Sequence, residues 1–333
     1  MSWEPITPEQ FKELLPSICS EETSQDAKGW TPDNPLWGHC AVVSLVAQNL
    51  FGGKIWRAEY TDRQSKTNSH YWNECADGAV EDFTVAQFGY AFPEMRNPVV
   101  RDRVSMLYHK EGDSEERKRI IKKARERYKL LAFRLLQMLY GANKAGVRNP
   151  LFYDPIYCAC FEEALDSPCR KMKFGCVITH EGAVVYRGCN KTIEPLHSLC
   201  DPACIRLSIT SRTEQMLGAC GHAEEFALWE VARKGIALYE CDLYIAGFYP
   251  NGLPWLKTSA EHTCLRCSTQ MYQAQVRKIY VPMNTRLEEQ SWARSSSEWR
   301  SITPQQAVSG ALCYAMKEKS IDSPEKDPNA QGS

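Results

Sequence analysis

The chain has 333 residues and a formal net charge of −1, so its overall charge does not attract it to nucleic acid or to an acidic membrane surface. This length allows two domains, each large enough to bury a core of its own. A small-molecule substrate is therefore expected, and nucleic acid or membrane partners are disfavoured.

The cysteine content is unusual, with 15 cysteines in the chain. The first residues lack the basic segment and apolar core of an export signal, and no run of about 18 apolar residues could span a bilayer. We therefore expect a cytoplasmic protein. In that reducing compartment, thiols serve as metal ligands, nucleophiles or core side chains and do not form disulfides.

The first half of the chain predicts an α+β domain with a long helix after it. An apolar helix is expected to begin near Cys40 and to stop at Gly52-Gly53, because glycine ends helices. Short strands separated by polar turns follow it, and residues 114–140 predict one long helix with Asp113 as its N-cap. The expected strand sequences are KIWRAEY, HYWNEC and AVEDFTV.

The second half predicts a sheet with helices packed against it, beginning near Asn149. A hairpin is expected around Glu181-Gly182, followed by a helix, a strand, a second helix and a final strand. The Pro-rich and charged end of the chain predicts disorder. The predicted boundaries are 1–145 for the first domain, 146–318 for the second and 319–333 for the disordered tail.

A metal-binding pattern lies in the second half, where Gly-His222-Ala-Glu224-Glu is followed by Cys264-Leu-Arg-Cys267. The pattern supplies one imidazole, two thiols and a carboxylate that need not bind the metal. Zinc with three protein ligands keeps one position for water and lowers the pKa of that water towards neutrality. With both motifs at helix starts, two helix dipoles would favour thiolates at one ion.

In this order the two motifs resemble the signature of the zinc-dependent nucleobase deaminases. The stretch from about Pro155 to Pro282 resembles the cytidine/deoxycytidylate deaminase superfamily, with FGCVITHEGAVVYRGCNKT similar to its hairpin. The resemblance implies an α/β/α three-layer fold with a mixed sheet, and homo-oligomers are usual among such proteins. It also implies zinc on His222, Cys264 and Cys267, proton relay by Glu224, and substrate contacts from Asn190 and Ala223.

The chain departs from the deaminase pattern around the substrate. Thr263 stands where the family usually has proline, Gly188–Lys191 lacks a common aromatic residue, and the loop before Thr263 is long. The identity of the base and the phosphate state therefore stay open. On that loop an aromatic side chain could stack on a base or could pack locally. The candidates are Phe248, Tyr249 and Trp255.

A cysteine-rich insert precedes His222, and similar deoxycytidylate deaminases often carry a structural zinc there. Cys200, Cys204 and Cys220 could form such a site with Cys189, Cys169 or His197 as the fourth ligand. Alternatively, these thiols are buried small hydrophobic side chains. Arg206 and Arg212 of the same insert could hold a phosphate or lie on the surface.

A second candidate site combines Cys40, at the start of the apolar helix, with His70 and Asp82. This is the nucleophile, base and orienting acid order of papain-like hydrolases. The stretch from about Trp30 to Tyr140 also resembles the YunG-like family, which is related to papain-like and transglutaminase-like folds and has poorly defined activity. A thiol hydrolase, an amidase and a catalytically silent binding module all stay open.

The leading hypothesis is a zinc-dependent hydrolytic deaminase of a cytosine nucleotide or nucleoside, fused to a cysteine-hydrolase-like domain. The alternative is a thiol hydrolase or amidase that uses Cys40, His70 and Asp82, with the zinc domain recognising its substrate. Deamination of nucleic acid is a third reading, which the neutral charge disfavours.

Overall fold

The computed structural model describes residues 5–62, 65–110, 112–142, 148–169, 171–192, 204, 220–249, 251–256, 263–285 and 296–321. Two regions follow each other along this chain, each built around its own sheet, as the sequence predicts. The N-terminal region ends at Tyr140, and the C-terminal region begins at Pro150. No helix within the described ranges combines the length and apolar character needed to cross a bilayer.

The N-terminal region is an antiparallel sheet in the order β3-β2-β1-β4 with helices around it. Its elements are α1 (Pro8–Ile18), α2 (Cys40–Phe51), β1 (Lys54–Thr61), β2 (Thr67–Glu74), β3 (Val80–Glu81), β4 (Arg96–Arg101), α3 (Arg103–Leu107) and α4 (Glu115–Tyr140). The sequence pattern did not indicate β4, because this edge strand is largely exposed and shows no alternation of buried and exposed residues.

Helix α2 is apolar on nearly every side and is buried accordingly, with seven consecutive buried residues from Val42 to Gln48. It ends at Phe51, and its C-cap Gly52 has a φ of 70°. Gly53 lies so close to β2 that a Cβ atom there would meet the Glu74 carbonyl oxygen at 1.9 Å. The glycine pair therefore stops the helix and allows the chain to turn directly into the sheet.

Helix α4 has Ser114 as its N-cap, whose hydroxyl accepts a hydrogen bond from the Arg117 N–H. The prediction of Asp113 was wrong by one residue, because that carboxylate accepts from the Lys110 N–H in the preceding turn. The charged start of α4 is exposed and carries pairs between neighbouring turns. Its later turns bury Tyr128, Leu131 and Leu135.

The C-terminal region contains a mixed five-stranded sheet in the order β11-β10-β9-β5-β6, in which β9 and β10 are parallel and the other neighbours antiparallel. The elements are α5 (Pro155–Asp166), β5 (Lys173–His180), β6 (Ala183–Cys189), β7 (Lys191–Thr192), β8 (Cys220–Gly221), α6 (Ala223–Arg233), β9 (Cys241–Phe248), α7 (Leu265–Gln273), β10 (Lys278–Thr285), β11 (Ser296–Ile302) and α8 (Pro304–Ile321). Helix α8 extends into the predicted tail, whose remainder lies outside the described residues.

Alternate residues of the central strands pack into two different apolar clusters. Val177 of β5 and Ala246 of β9 lie in one cluster with residues of α5. Their neighbours Ile178 and Ile245 lie in the other, with residues of α6 and α7. Both faces of these strands are therefore covered, as expected for strands that read as nearly continuous apolar runs.

The two regions share one apolar core. Leu131 and Leu135 of α4 belong to the same cluster as Phe161 of α5 and Phe248 of β9. An ion pair to the buried Asp166 carboxylate reinforces this contact, since the Nε of the half-buried Arg125 donates to it at 2.6 Å. Packing and charge together hold the long helix against the C-terminal region.

Phe248→Ala should lower the free energy of unfolding by about 3–5 kcal/mol, because it removes a buried ring from this shared core. Phe248 is 3% exposed, and its ring centroid lies 5.0 Å from that of Phe161. Urea denaturation followed by tryptophan fluorescence measures the change. Val184→Ala, at an exposed position of β6, is the control and should stay within about 0.5 kcal/mol of wild type; equal effects of the two changes would contradict a shared core.

Candidate functional site: a His-Cys-Cys cluster and a second cysteine centre

His222, Cys264 and Cys267 come together at the starts of α6 and α7. His222 is the N-cap of α6 and Cys264 the N-cap of α7, so one ligand type begins each helix. The His222 Nδ1 lies 3.2 Å from the Cys267 Sγ and 3.3 Å from the Cys264 Sγ. All three ligand atoms lie within 4.8 Å of one another. We refer to these three residues as the ligand cluster.

The ligand cluster fits zinc in chemistry and in size. A tetrahedral zinc ion bound to thiolate and imidazole holds sulfur and nitrogen about 3.5 Å apart, given bond lengths of about 2.3 and 2.0 Å. The distances in the cluster are close to that value. Three protein ligands are also the number found in catalytic zinc sites, where the fourth position is left for water or substrate.

The cluster already favours a thiolate at Cys264. The pKa of this thiol is lowered to about 4, because its sulfur accepts a hydrogen bond from the Cys267 thiol and lies beside His222, which together outweigh burial. The Cys267 N–H also points to the Cys264 sulfur, at 3.4 Å. A thiolate is the form that binds a metal ion.

Glu224 lies beside the cluster as a buried carboxyl group, 4% exposed. Burial raises its pKa to about 7, and the nearby Cys264 thiolate adds to the effect. A carboxyl group with such a pKa can both accept and donate a proton near neutral pH. Ala223 between His222 and Glu224 is fully buried.

The predicted substrate contacts have different surroundings. The Asn190 side-chain amide forms hydrogen bonds with the backbone at the start of β5. It accepts from the Phe174 N–H at 2.8 Å and donates to the Met172 carbonyl at 2.9 Å. Trp255 is partly buried against the apolar cluster that contains Cys267. Its ring meets that of Phe174 edge to face at 5.1 Å. Phe174 was not singled out from the sequence, because a single aromatic residue at a strand start carries no motif.

Phe248 and Tyr249 do not share the position of Trp255. Phe248 is buried in the core shared with the N-terminal region, so it is not free to stack on a base, contrary to that candidate assignment. Tyr249 is 40% exposed on the turn that follows β9.

The candidate second metal site falls largely on undescribed residues. Cys200, His197, Arg206 and Arg212 lie outside the described residues. Cys189 and Cys204 are buried, whereas Cys169 and Cys220 are half-buried. Among the described residues, the ligand cluster is the group of three or more ligand side chains close enough to share an ion.

A second centre forms in the N-terminal region, where Cys40 is the first residue of α2. His70 on β2 contacts Asp82 through its Nε2, 2.6 Å from the Oδ2. Because a carboxylate only accepts, this Nε2 carries a proton and leaves Nδ1 to exchange one with a thiol. Cys40 also contributes to the pKa of His70, so the thiol lies near the imidazole, and the Cys40 Sγ donates to the Ser69 carbonyl oxygen at 3.9 Å.

The surroundings of His70 favour its charged form. Burial lowers its pKa, but the hydrogen bonds to Asp82 and Cys40 outweigh burial and raise the pKa to about 9. The preceding histidine, His39, behaves in the opposite way. Its pKa is lowered to about 4 by burial, and its Nε2 lies 2.8 Å from the Thr23 hydroxyl. His70 is therefore the imidazole that can act with Cys40.

Two kinds of residue near His70 were missed by the sequence analysis. The Gln87 Nε2 lies 3.3 Å from the His70 Nδ1. The rings of Phe88 and Phe92 cover the imidazole, with centroids at 4.9 and 6.4 Å, and Phe92 is 53% exposed. They follow Asp82 in the sequence, but neither an isolated amide nor two aromatic residues define a catalytic motif.

Comparison with known proteins separates the same two regions. Residues 7–140 match the family "YunG protein", and residues 155–283 match the family "Cytidine and deoxycytidylate deaminase zinc-binding region". The chain thus joins a YunG-like region to a deaminase-like zinc-binding region, which confirms both resemblances.

Among curated proteins, the chain is similar to "Uncharacterized protein YunG" of Bacillus subtilis (strain 168), at 34% identity over 80 residues. The matched segment covers 24% of this chain and 62% of that protein. The search of solved structures gave no match.

The contact between His70 and Asp82 should make stability depend on pH. A histidine whose pKa rises from 6.5 to about 9 on folding contributes stability that is complete below pH 6.5 and lost as the pH rises through about 9. Asp82→Asn should therefore destabilise the protein more at about pH 6 than at about pH 9.5, with a difference of order 1–3 kcal/mol.

Urea denaturation of both proteins at the two pH values measures that difference. Asp77→Asn is the matched control, because its carboxylate caps the turn between β2 and β3 by accepting from the Ala79 N–H. A destabilisation by Asp82→Asn that is equal at both pH values would contradict a charged His70.

Proposed function

We propose that this protein is a zinc-dependent hydrolytic deaminase of a cytosine nucleotide or nucleoside. The observation that carries the proposal is the ligand cluster with Glu224 buried beside it, in a region that matches the deaminase zinc-binding family. An imidazole, two thiols and a free acid are the side chains that this chemistry needs.

The residues divide the chemistry among them. His222, Cys264 and Cys267 would hold the zinc ion, which when bound supplies a Lewis acid that lowers the pKa of a water molecule. Glu224 would accept a proton from the attacking water and donate it to the ring nitrogen beside the reacting carbon. It would then move the remaining hydroxyl proton to the amino group, which leaves as ammonia. Its buried position keeps this proton away from bulk solvent.

Substrate recognition is proposed for the residues around the ligand cluster. Trp255 and Phe174 form an aromatic corner that can contact a flat base. The backbone of Ala223 can approach the substrate closely, because the side chain is small and buried. Asn190 holds the start of β5 and would face the sugar or base; Arg206 and Arg212 would bind a phosphate.

Glu224→Gln should reduce deamination by about 10²–10⁴-fold, because glutamine cannot relay protons. Ammonia release from cytosine, adenine and guanine nucleosides and nucleotides measures the activity, and metal analysis shows whether the variant still binds zinc. Glu230→Gln, on the same helix, is the control because this side chain pairs with Arg233 of α6. Zinc-loaded wild type that releases no ammonia from any compound would contradict the substrate proposal.

A second candidate function is thiol-dependent hydrolysis at Cys40, with the zinc region recognising the substrate. The contact between His70 and Asp82 supports it, since a base oriented by an acid is how thiol nucleophiles are activated. Phe88 and Phe92 would give this centre an apolar wall, which suits an ester or amide with an apolar acyl group.

Cys40→Ala should abolish the release of nitrophenol from p-nitrophenyl esters of apolar acids, because it removes the nucleophile. Cys75→Ala, another buried thiol of the same region, should leave the rate unchanged. Glu224→Ala separates the two functions, since it should stop ammonia release and spare ester hydrolysis. A natural substrate whose turnover is lost with Cys40→Ala but kept with Glu224→Ala would reverse the ranking of the two functions.

Several finer features belong to the same proposal. The N-terminal region is proposed to be papain-like, and the C-terminal region to be a three-layer fold, supported by the covered faces of β5 and β9. We also propose domain boundaries, a homo-oligomeric state and a cytoplasmic location. The proposed boundaries are 1–145, 146–318 and 319–333.

Metal analysis tests the second structural zinc, which requires two ions per chain. Filter binding at low salt tests nucleic acid as a substrate.

A further inference from the structure

Glu225, the residue after the proposed proton relay, is fully buried and fully engaged. Its Oε2 accepts a hydrogen bond from the His222 backbone N–H at 2.9 Å. Its Oε1 accepts from the Gln270 side-chain amide at 2.9 Å and pairs with the Arg266 Nε at 2.6 Å. One carboxylate therefore connects the first residue of the His222 motif to two side chains of α7.

The two side-chain partners of Glu225 lie within or just after the Cys264–Cys267 motif. Arg266 stands between the two cysteines of Cys264-Leu-Arg-Cys267, and Gln270 lies one turn further along the same helix. A buried carboxylate is costly unless charge and hydrogen bonds compensate it, so its three partners restrict where α7 can sit relative to α6. The apolar packing between these helices is not directional and cannot set that distance as sharply.

Neighbouring glutamates on α6 thus take different roles. Successive residues of a helix point about 100° apart, so Glu224 and Glu225 cannot face the same surroundings. Glu224 is buried beside Cys264 at the ligand cluster. Glu225 points to Arg266 and Gln270 of α7.

We propose that Glu225 is a positioning residue that holds the His222 imidazole at the correct distance from the Cys264 and Cys267 thiolates and thereby retains the metal. This inference rests on the proposed zinc function. The ligands come from two separated stretches, and the outer contacts of metal ligands commonly change metal affinity by about 10–100-fold. We refer to Glu225 and its partners Arg266 and Gln270 as the clamp, in which Arg266 is the cation and Gln270 the second donor.

The test compares Glu225→Gln and Arg266→Gln with Glu230→Gln in the full-length, zinc-loaded protein. Glutamine at position 225 keeps a carbonyl oxygen for one donor but loses the charge that pairs with Arg266. The Arg266 side chain is 38% exposed, so its replacement is compatible with folding. Glu230 is on the same helix and pairs with Arg233, so it controls for loss of a carboxylate from α6.

Zinc release to a chromogenic chelator should be about 10–100-fold faster in Glu225→Gln and Arg266→Gln than in wild type, and unchanged in Glu230→Gln. Cobalt-substituted protein gives a second readout, because the visible absorption of tetrahedral cobalt reports the ligand geometry. We expect both clamp variants to show weaker cobalt absorption while the protein stays folded. If Glu225→Gln does not fold, Arg266→Gln decides the result.

A merely structural ion pair would give another pattern. The melting temperature would fall in both clamp variants, whereas zinc release and the cobalt spectrum of the folded protein would match wild type; this result would overturn the inference. Wild-type protein that binds no zinc would overturn the proposed function and this inference together. Wild type that retains zinc, with clamp variants that retain it equally well, would overturn the positioning role alone.

Discussion

The parallel pairing of β9 with β10 is the constraint on which the site depends. Two consecutive parallel strands need a crossover, and α7 provides it, so α7 must begin near the carboxyl end of β9. Helix α6 packs on the same face of the sheet and leads into β9 through a short connection, so its N-terminus also lies near that end. The topology therefore brings His222 and the two cysteines together although more than forty residues separate them in the chain.

The polar neighbours and the burial of these residues then give them their chemistry. Cys264 can be a thiolate because a second thiol, an imidazole and a backbone N–H surround its sulfur. That negative charge and the exclusion of water together raise the pKa of Glu224. A buried acid with a pKa near 7 is costly for an ordinary core position and is useful where protons are exchanged.

The N-terminal region shows the same principle with another set of side chains. Cys40 begins a buried apolar helix, whereas His70 is held by Asp82 on the chain that follows the neighbouring strand. The shared core of α4, α5 and β9 joins this centre to the deaminase-like region as one packed unit. The two chemically distinct centres therefore lie in regions that share a core, although the ligand cluster itself packs against a second apolar cluster.

The sequence by itself determined the metal motif and most local elements, although only Val80–Glu81 of the predicted strand AVEDFTV forms a strand. Apolar runs, glycine stops and the His222 and Cys264 motifs were sufficient, because each depends on residues close together in the chain. The sequence did not indicate edge strand β4, because it has no apolar period. It did not identify the Ser114 cap, because Asp113 and Ser114 are equivalent cap candidates side by side. Local patterns also could not predict the order of the strands in each sheet.

Only the tertiary structure decided which side chains meet. It removed Phe248 from the candidate stacking residues by burying it in the shared core. It also revealed the contacts of Glu225, Gln87 and Phe174, none of which carries a motif. Periodicity and caps arise from neighbours along the chain, whereas burial, charge pairing and ligand distances arise from segments far apart in sequence, and only packing brings these together.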